Sequence, residues 1–279
     1  MKLSWLQSAM MGFVCGFSEP LPVSAEAHRS LMIQFFGVGS EGMLFRLACH
    51  LAVLIVILTG GHLELNRLRR TSKILKTPPR RRTTHPDLNS AGTLKLLRSA
   101  ALIAVLGRML SVYLSVISGK LYLLMPMLIV CGVILWMPTQ MRTANKDGRH
   151  LAPVDGMLMG LGAALGAIPG ISPVGAAVCF GLMRGVDRRY ALRFSWILLS
   201  ISLASAIVLD LAALAGAGFE LALADLLSAL IGAVCAALGT YVGIRLMRSL
   251  IRRSFGGVCG FCYYNWGLAL LCLVLFLMV

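Results

Sequence analysis

Four ionisable side chains lie close together in an otherwise apolar segment near the N-terminus: Glu19, Glu26, His28 and Arg29. A charged group at bilayer depth costs about 2.5 to 3.5 kcal/mol on insertion scales, so such groups need partners or a function. Carboxylates, imidazoles and guanidiniums are the groups that neutralise charge and move protons in reactions of anions. The segment therefore indicates a site for an anion or for acid-base chemistry.

Ser24 and His28 are four residues apart in the same segment. If residues 23–34 are helical, both side chains lie on one face near the helix N-terminus, where Ser24 is a candidate N-cap. The first amides of a helix favour a negative charge. This region is therefore a candidate anion site.

A second apolar segment offers similar elements without charge. Its sequence is Pro169-Gly-Ile-Ser-Pro-Val-Gly175. Gly170 permits close backbone approach, and Ser172 can cap a helix that Pro173 begins. Two helix N-termini that face one cavity would suit an anionic head group.

The composition predicts that membrane helices position these residues. Of the 279 residues, 58% are hydrophobic and only 13% are charged, about half the share of a globular domain. This composition excludes a disordered chain, a disulfide scaffold and a secreted enzyme. The net charge of +15 comes from clusters between apolar runs, which fits the positive-inside rule better than nucleic-acid binding.

Apolar runs of about 20 residues, the length that spans a bilayer core, predict the membrane spans. The full runs are 43–60, 120–138, 194–218, 221–247 and 262–279. A sixth run, 98–118, is interrupted by Arg98 and Arg108, so a long tilted or amphipathic helix fits there equally well. Residues 3–36 and 154–183 are broken by Pro, Gly or charges, which is typical of re-entrant helices that line a polar cavity.

The two broken segments also resemble each other. Pro22–Ser24 precedes the apolar run near Leu47, and Pro169–Ser172 precedes the run near Phe194, an offset of about 147 residues in both. We therefore predict an all-α polytopic membrane protein, an inverted repeat with two re-entrant helix hairpins and about six transmembrane helices. The predicted parts are a first half at 1–138 with a hairpin near 10–36 and a basic loop at 64–95, a basic linker at 139–150, and a second half at 151–279 with a hairpin near 154–185. Chance similarity of Gly/Pro-rich sequence is the alternative.

One motif near the N-terminus is Gly16-Phe-Ser-Glu19-Pro-Leu-Pro22-Val-Ser24-x-x-x-His28. It resembles the first signature of the undecaprenyl pyrophosphate phosphatase family, known for bacitracin resistance. Further matches, in order, are His50-Leu51, Pro169-Gly-x-Ser172-x-x-Gly175, Gly181-Leu182, Arg193-Phe194-Ser195, Arg252-Arg253-x-Phe255 and Phe261-x-x-Tyr264-x-x-Gly267. Each match alone is weak, but together they cover almost the entire chain.

The resemblance implies a bacterial plasma-membrane protein whose site opens to the outer face. The family removes one phosphate from undecaprenyl pyrophosphate to recycle the carrier lipid of cell-wall synthesis, commonly with a divalent cation. The implied partners are a polyprenyl pyrophosphate lipid and the membrane, with no nucleic acid, and a homodimer is possible. The basic clusters at 67–82 and 245–253 are expected on the cytoplasmic side.

The resemblance also implies roles for residues of the first segment. Glu19, Ser24 and His28 are the predicted catalytic residues. Glu19 and Glu26 could share a Mg²⁺ or Ca²⁺ ion, since hard cations bind carboxylate oxygens and bridge phosphates. His28 would then activate a water or Ser24 as the nucleophile.

The match to the family's site is incomplete. Cys15, Ala25 and Pro173 stand where the family has its first glutamate, its nucleophilic serine and its phosphate-clamping arginine, and Val174 replaces another serine. The predicted substrate-binding residues are Glu26, Arg29, Gly170, Ser172 and Gly175, with Arg46 and Arg184 as other candidates for a phosphate contact. The alternative functions are a polyprenyl-phosphate transporter of the same fold without phosphatase activity and a non-catalytic lipid-binding partner.

Overall fold

The computed structural model describes residues 3–38, 41–114, 120–141, 145–216, 222–253 and 256–278. These residues are mainly helical, and their β-structure is limited to an isolated bridge between Lys146 and Val186. The helices of the first half are α1 (Trp5–Ser18), α2 (Ala25–Phe36), α3 (Met43–Gly60), α4 (His62–Lys76), α5 (Leu88–Leu114) and α6 (Leu121–Trp136). Those of the second half are α7 (Pro153–Leu165), α8 (Pro173–Met183), α9 (Arg188–Gly216), α10 (Leu223–Arg253), α11 (Gly256–Cys259) and α12 (Phe261–Met278).

Within the described chain, six segments are long and apolar enough to cross a bilayer. They are Met43–Gly60, Leu88–Leu114, Leu121–Gln140, Arg188–Gly216, Leu223–Arg252 and Gly257–Leu277. The predicted all-α membrane fold with about six spans is therefore confirmed. The interrupted run at 98–118 belongs to a helix that already begins at Leu88. Parts of the predicted spans (115–118, 217–218, 221 and 279) and of the predicted linker (142–144) lie outside the described residues.

Two helix hairpins are too short to span the bilayer. Helices α1 and α2 contain 14 and 12 residues, and α7 and α8 contain 13 and 11, whereas a span needs about 20. The Ser24 Oγ accepts a hydrogen bond from the Ala27 amide, and the Ser172 Oγ accepts one from the Gly175 amide. Pro173 occupies the first turn of α8. Both predicted N-caps are thus confirmed.

The hairpin of each half packs against the other half of the chain. Helix α1 packs along α10, and in the same way α7 packs along α5, so the first helix of each hairpin contacts a long helix of the other half. Helix α3 pairs with α9, and α6 pairs with α12. Reciprocal contacts of this kind are expected of an inverted repeat, and they bring the two hairpins together at the centre of the molecule.

Small residues allow the exchanged helices to approach closely. Gly12 and Gly16 of α1 lie against Gly232 and Ala236 of α10, and Gly160 of α7 lies against Ala100 of α5. Small residues four apart are a common solution for helix contacts in membranes, where backbones must touch to gain packing energy. These contacts fix the position of each hairpin.

Replacing Gly160 by Ala should lower the free energy of unfolding by about 1–3 kcal/mol, the usual cost of overpacking. The added Cβ would lie 2.8 Å from both Cα and O of Ala100. The measurement is the thermal unfolding midpoint in detergent. Gly267→Ala is the control, because a Cβ at Gly267 meets nothing within 4 Å. Equal midpoints for the two variants would contradict this account of the helix contact.

Candidate active site

A polar chamber lies between the two hairpins and one end of α3, α5 and α9. Its inner part is narrow, about 40 Å³, and its outer part has a volume of about 300 Å³. The polar and charged side chains of the inner part belong to Glu19, Ser24, Glu26, Arg29, His50, Arg108 and Ser202. Glu26, Arg29 and Arg108 line both parts, so the two parts adjoin each other.

The Arg29 guanidinium is at the centre of the charged network. Its side chain is only 8% exposed, and Nη1 donates a hydrogen bond of 2.7 Å to Glu26 Oε2. Its Nε lies 3.2 Å from Glu41 Oε2, an ion pair without an aligned hydrogen bond. Its Nη2 lies 3.4 Å from His50 Nε2. Arg29 therefore holds a buried positive charge beside the chamber, balanced by carboxylates from two elements.

Arg108 supplies a second guanidinium from α5. It lines both parts of the chamber, opposite the tip of the second hairpin at Gly166 and Ala167. The Arg108 Nε is buried and has no hydrogen-bond partner among the described residues. A buried donor without a partner costs about 1–3 kcal/mol, and more when charged. An anion in the chamber would satisfy this donor.

His50 is held by an aspartate from the other half of the molecule. His50 Nδ1 is 2.7 Å from Asp210 Oδ2, and Arg46 Nε donates to the other carboxylate oxygen at 2.9 Å. An ionised carboxylate only accepts hydrogen bonds, so the proton of a neutral His50 is on Nδ1. The basic nitrogen, Nε2, is then on the Arg29 side of the ring, and His50 lines the inner chamber.

Ser24 and Ser172 join the tips of the two hairpins. The Ser24 Oγ accepts from Ala27 N at 3.2 Å and from Gly170 N at 3.1 Å. The Ser172 Oγ donates to Leu21 O at 3.1 Å and accepts from Gly175 N at 3.0 Å. Ser24 lines the chamber, but both of its acceptor positions are occupied by backbone amides.

The predicted substrate-binding residues of the second hairpin do not line the chamber. Ser172 is fully buried, Gly170 adopts a φ of +103° that favours glycine, and Gly175 packs against Pro22 and Leu135. The Gly175 amide donates to the Ser172 cap, and the Gly170 amide and the Ser172 hydroxyl donate to the first hairpin. The Ser172 amide donates to Cys131 Sγ of α6 at 3.4 Å. The structure therefore places Gly170, Ser172 and Gly175 in the joint that shapes the chamber, while Ile171 and Pro173 face it.

His28 is the predicted catalytic residue that the structure does not bring to the chamber. It follows Glu26 by two residues, which places it about 200° around α2. His28 Nε2 is 2.6 Å from the Tyr264 hydroxyl, and Nδ1 is 2.7 Å from Ser24 O. Arg184 also lies away from the chamber, since its Nε donates a hydrogen bond of 2.8 Å to Asp155 Oδ1. The catalytic role of His28 stays a prediction.

Glu19 and Glu26 both line the inner chamber, as their predicted metal-binding role requires. No group of three His, Cys, Asp or Glu side chains in the described ranges forms a complete protein metal site. Mg²⁺ is commonly bound by one or two carboxylates together with substrate phosphates and water. The two glutamates therefore fit a cation that the substrate helps to bind.

Comparison with known proteins identifies the family. Residues 8–271 match the family described as "Bacitracin resistance protein BacA". An undecaprenyl-diphosphatase of Carboxydothermus hydrogenoformans is 30% identical over 269 residues, 96% of each chain. The chain belongs to the BacA family.

Other BacA relatives match over comparable lengths. The undecaprenyl-diphosphatase of Rubrobacter xylanophilus is 26% identical over 279 residues, which cover 99% of this chain and 100% of the relative. That of the archaeon Methanobrevibacter smithii is 26% identical over 266 residues, 94% of each chain. The family resemblance found from the sequence is thus confirmed over nearly the whole chain.

Three residues of the site are absent from the predicted site residues, although each has a recognisable feature in the sequence. His50 was a family match, while Arg108 and Asp210 are charges inside apolar runs. The BacA positions occupied here by Ala25 and Pro173 do line the inner chamber. The guanidiniums of Arg29 and Arg108 line the same space from α2 and α5, so positive charge is retained there without an arginine at residue 173.

Proposed function

We propose that this chain is an undecaprenyl-diphosphatase that hydrolyses undecaprenyl diphosphate to undecaprenyl phosphate and inorganic phosphate. The observation that carries the proposal is the pair of guanidiniums, Arg29 and Arg108, in a chamber that also contains two carboxylates and a positioned imidazole. Family membership over nearly the whole chain supports the same reaction. The proposed location is the bacterial plasma membrane.

The chamber extends from the two hairpins toward the end of the molecule away from the basic loops. Arg46 is near the start of α3, whereas Arg108 and Asp210 are near the ends of α5 and α9. The cluster at 67–82 follows the opposite end of α3. If positive loops are cytoplasmic, the chamber opens toward the outer face, where the diphosphate enters while the prenyl chain stays in the bilayer.

Arg29 and Arg108 bind the diphosphate in this mechanism. Phosphoryl transfer depends mainly on positioning and on stabilising the charge of the transferred group. The diphosphate gives the Nε of Arg108 an anionic partner, which no described residue of the protein supplies. Glu26 and Glu41 hold Arg29 in place before substrate binds.

Glu19 and Glu26 would hold a divalent cation. When bound, such a cation neutralises phosphate oxygens and so assists the departure of undecaprenyl phosphate. Both carboxylates line the inner chamber. The cation is expected to bind together with the diphosphate rather than before it.

His50 takes the proton of the attacking water. When Arg29 turns to the diphosphate, its Nη2 leaves His50 Nε2, which it contacts at 3.4 Å without substrate. Nε2 then accepts the proton as the water oxygen bonds to the terminal phosphorus and the bridging P–O bond breaks, with the bond's electron pair leaving on undecaprenyl phosphate. Asp210 keeps the Nδ1 proton in place and stabilises the imidazolium that forms. Ser24 is not assigned the nucleophile's role, because its oxygen already accepts two amide hydrogen bonds.

Purified protein should release inorganic phosphate from undecaprenyl diphosphate, and a chelator should stop the release until Mg²⁺ or Ca²⁺ is restored. Glu19→Gln should lower the rate by about 10²-fold or more, because one cation-binding charge is lost. Asp147→Asn is the control, since Asp147 lies in an exposed loop outside the chamber. Full activity of Glu19→Gln would refute its role. Full activity in the presence of chelator would refute only the proposed role of the cation.

A further inference from the structure

A second cavity lies at the other end of the molecule and combines an apolar wall with arginines. It is located where α3 ends, where α4 and α9 begin, and beside the last third of α10, with a volume of about 300 Å³. Leu63 and Trp196 contribute to the apolar wall, and Arg67, Arg193 and Arg248 line the polar side. None of these five residues belongs to the catalytic chamber.

The charge of this cavity is positive. Its lining includes three arginines and one acid, Glu64, a formal charge of +2. Arg193 Nη1 is 3.7 Å from Glu64, and half of the Arg193 side chain remains exposed. Arg248 Nη2 donates to Gly60 O at 3.0 Å, and its guanidinium lies 5.5 Å from the centre of the Trp196 ring. Each guanidinium has five N–H donors, so these contacts leave donors for an anion.

We infer that this cavity binds the phosphate of an anionic phospholipid in the leaflet at the basic end of the protein. Its walls come from the ends of three candidate membrane spans, α3, α9 and α10, which is the depth of lipid head groups. Guanidiniums match a phosphate diester, and the exposed Leu63 matches the start of the acyl chains. A soluble anion would gain nothing from this apolar wall.

The cavity is connected to the first hairpin through Trp196. The indole Nε1 donates to Pro20 O at 3.1 Å, directly after Glu19. A lipid that fixes Arg248 also fixes the Trp196 ring beneath it. The bound lipid therefore stabilises the tip of the first hairpin as well as the ends of α3 and α9.

Native mass spectrometry of the purified full chain tests the inference without any measurement of turnover. The lipid inference can therefore be tested even if the chain proves to have no phosphatase activity. The protein is incubated with equal amounts of dioleoylphosphatidylglycerol and dioleoylphosphatidylcholine. We expect phosphatidylglycerol to be retained in preference by the wild type. In the Arg193→Ala, Arg248→Ala double variant, retention of phosphatidylglycerol should fall below that of the wild type by about fivefold for each arginine removed.

The matched control is the Arg69→Ala, Arg70→Ala double variant, which removes the same charge from exposed positions of α4 outside the cavity. Its retention should equal that of the wild type. Arg193→Ala alone serves if loss of the Arg248 contacts prevents folding. Equal losses in both double variants, equal retention of the two lipids by the wild type, or displacement of phosphatidylglycerol by inorganic phosphate would overturn the inference.

Discussion

Replacing Arg108 by Met should lower phosphate release from undecaprenyl diphosphate by about 10²- to 10³-fold, the usual cost of removing one preorganised donor to a developing charge. Arg108 lines both parts of the chamber, and its buried Nε has no hydrogen-bond partner within the part of the chain that the structure describes. Methionine keeps much of the aliphatic volume but removes the charge. The measurement is kcat/KM for phosphate release by purified protein.

Two further variants make the Arg108 prediction specific. Arg98→Met removes an exposed charge from the same helix, outside the chamber, and should keep wild-type activity. Pro173→Arg places a guanidinium at a position that faces the inner chamber, where the family resemblance implies an arginine. In the Arg108→Met background, this substitution should raise kcat/KM at least tenfold above that of Arg108→Met alone. Wild-type activity of Arg108→Met would contradict the proposed phosphate contact.

Replacing His50 by Gln should lower kcat by about 10²- to 10⁴-fold, the range attributed to a positioned general base. His28→Gln should keep activity within a few fold, because His28 contacts Tyr264 and Ser24 O on the far side of α2. The comparison separates His28, which the sequence predicts as catalytic, from His50, which lines the chamber. An inactive His28→Gln variant together with an active His50→Gln variant would contradict the assignment of His50 as the general base.

Asp210→Asn tests how His50 is positioned. Asparagine can present either an oxygen or an amide group to His50 Nδ1, so the proton on that nitrogen is no longer specified. We expect a lower kcat, a changed pH profile and little change in KM, because Asp210 acts through the imidazole. Asp155→Asn is the control for loss of a buried carboxylate, since Asp155 pairs with Arg184 outside the chamber. An unchanged pH profile for Asp210→Asn would contradict the positioning role.

The fold was largely predictable because its main signals are local. Apolar runs predicted the spans, and proline and serine at residues 22–24 and 169–173 predicted two short capped helices. The start of α5 was missed, since Lys95 and Arg98 reduce the apolar signal there, while the helix extends back to Leu88. The pairing of α1 with α10 could not be derived, because small residues fit many partners.

The site was predicted only in part because side-chain direction depends on tertiary contacts. Glu19, Glu26 and Arg29 line the chamber as expected, and the spacing of three between Glu26 and Arg29 already places them on one face of α2. His28 shares a face of α2 with Ser24, but the His28 ring contacts Tyr264 of α12 instead of lining the chamber. The partnership of His50 with Asp210 joins residues 160 apart, which no local pattern reveals.

Release of inorganic phosphate by the detergent-purified wild-type protein is the most direct test of the account. The inner chamber contains two guanidiniums, two carboxylates and an oriented imidazole, although the family resemblance implies other residues at Cys15, Ala25 and Pro173. With undecaprenyl diphosphate and Mg²⁺, we expect one phosphate released per lipid and undecaprenyl phosphate as the other product. Lipid that remains intact while bound to well-folded protein would contradict the account.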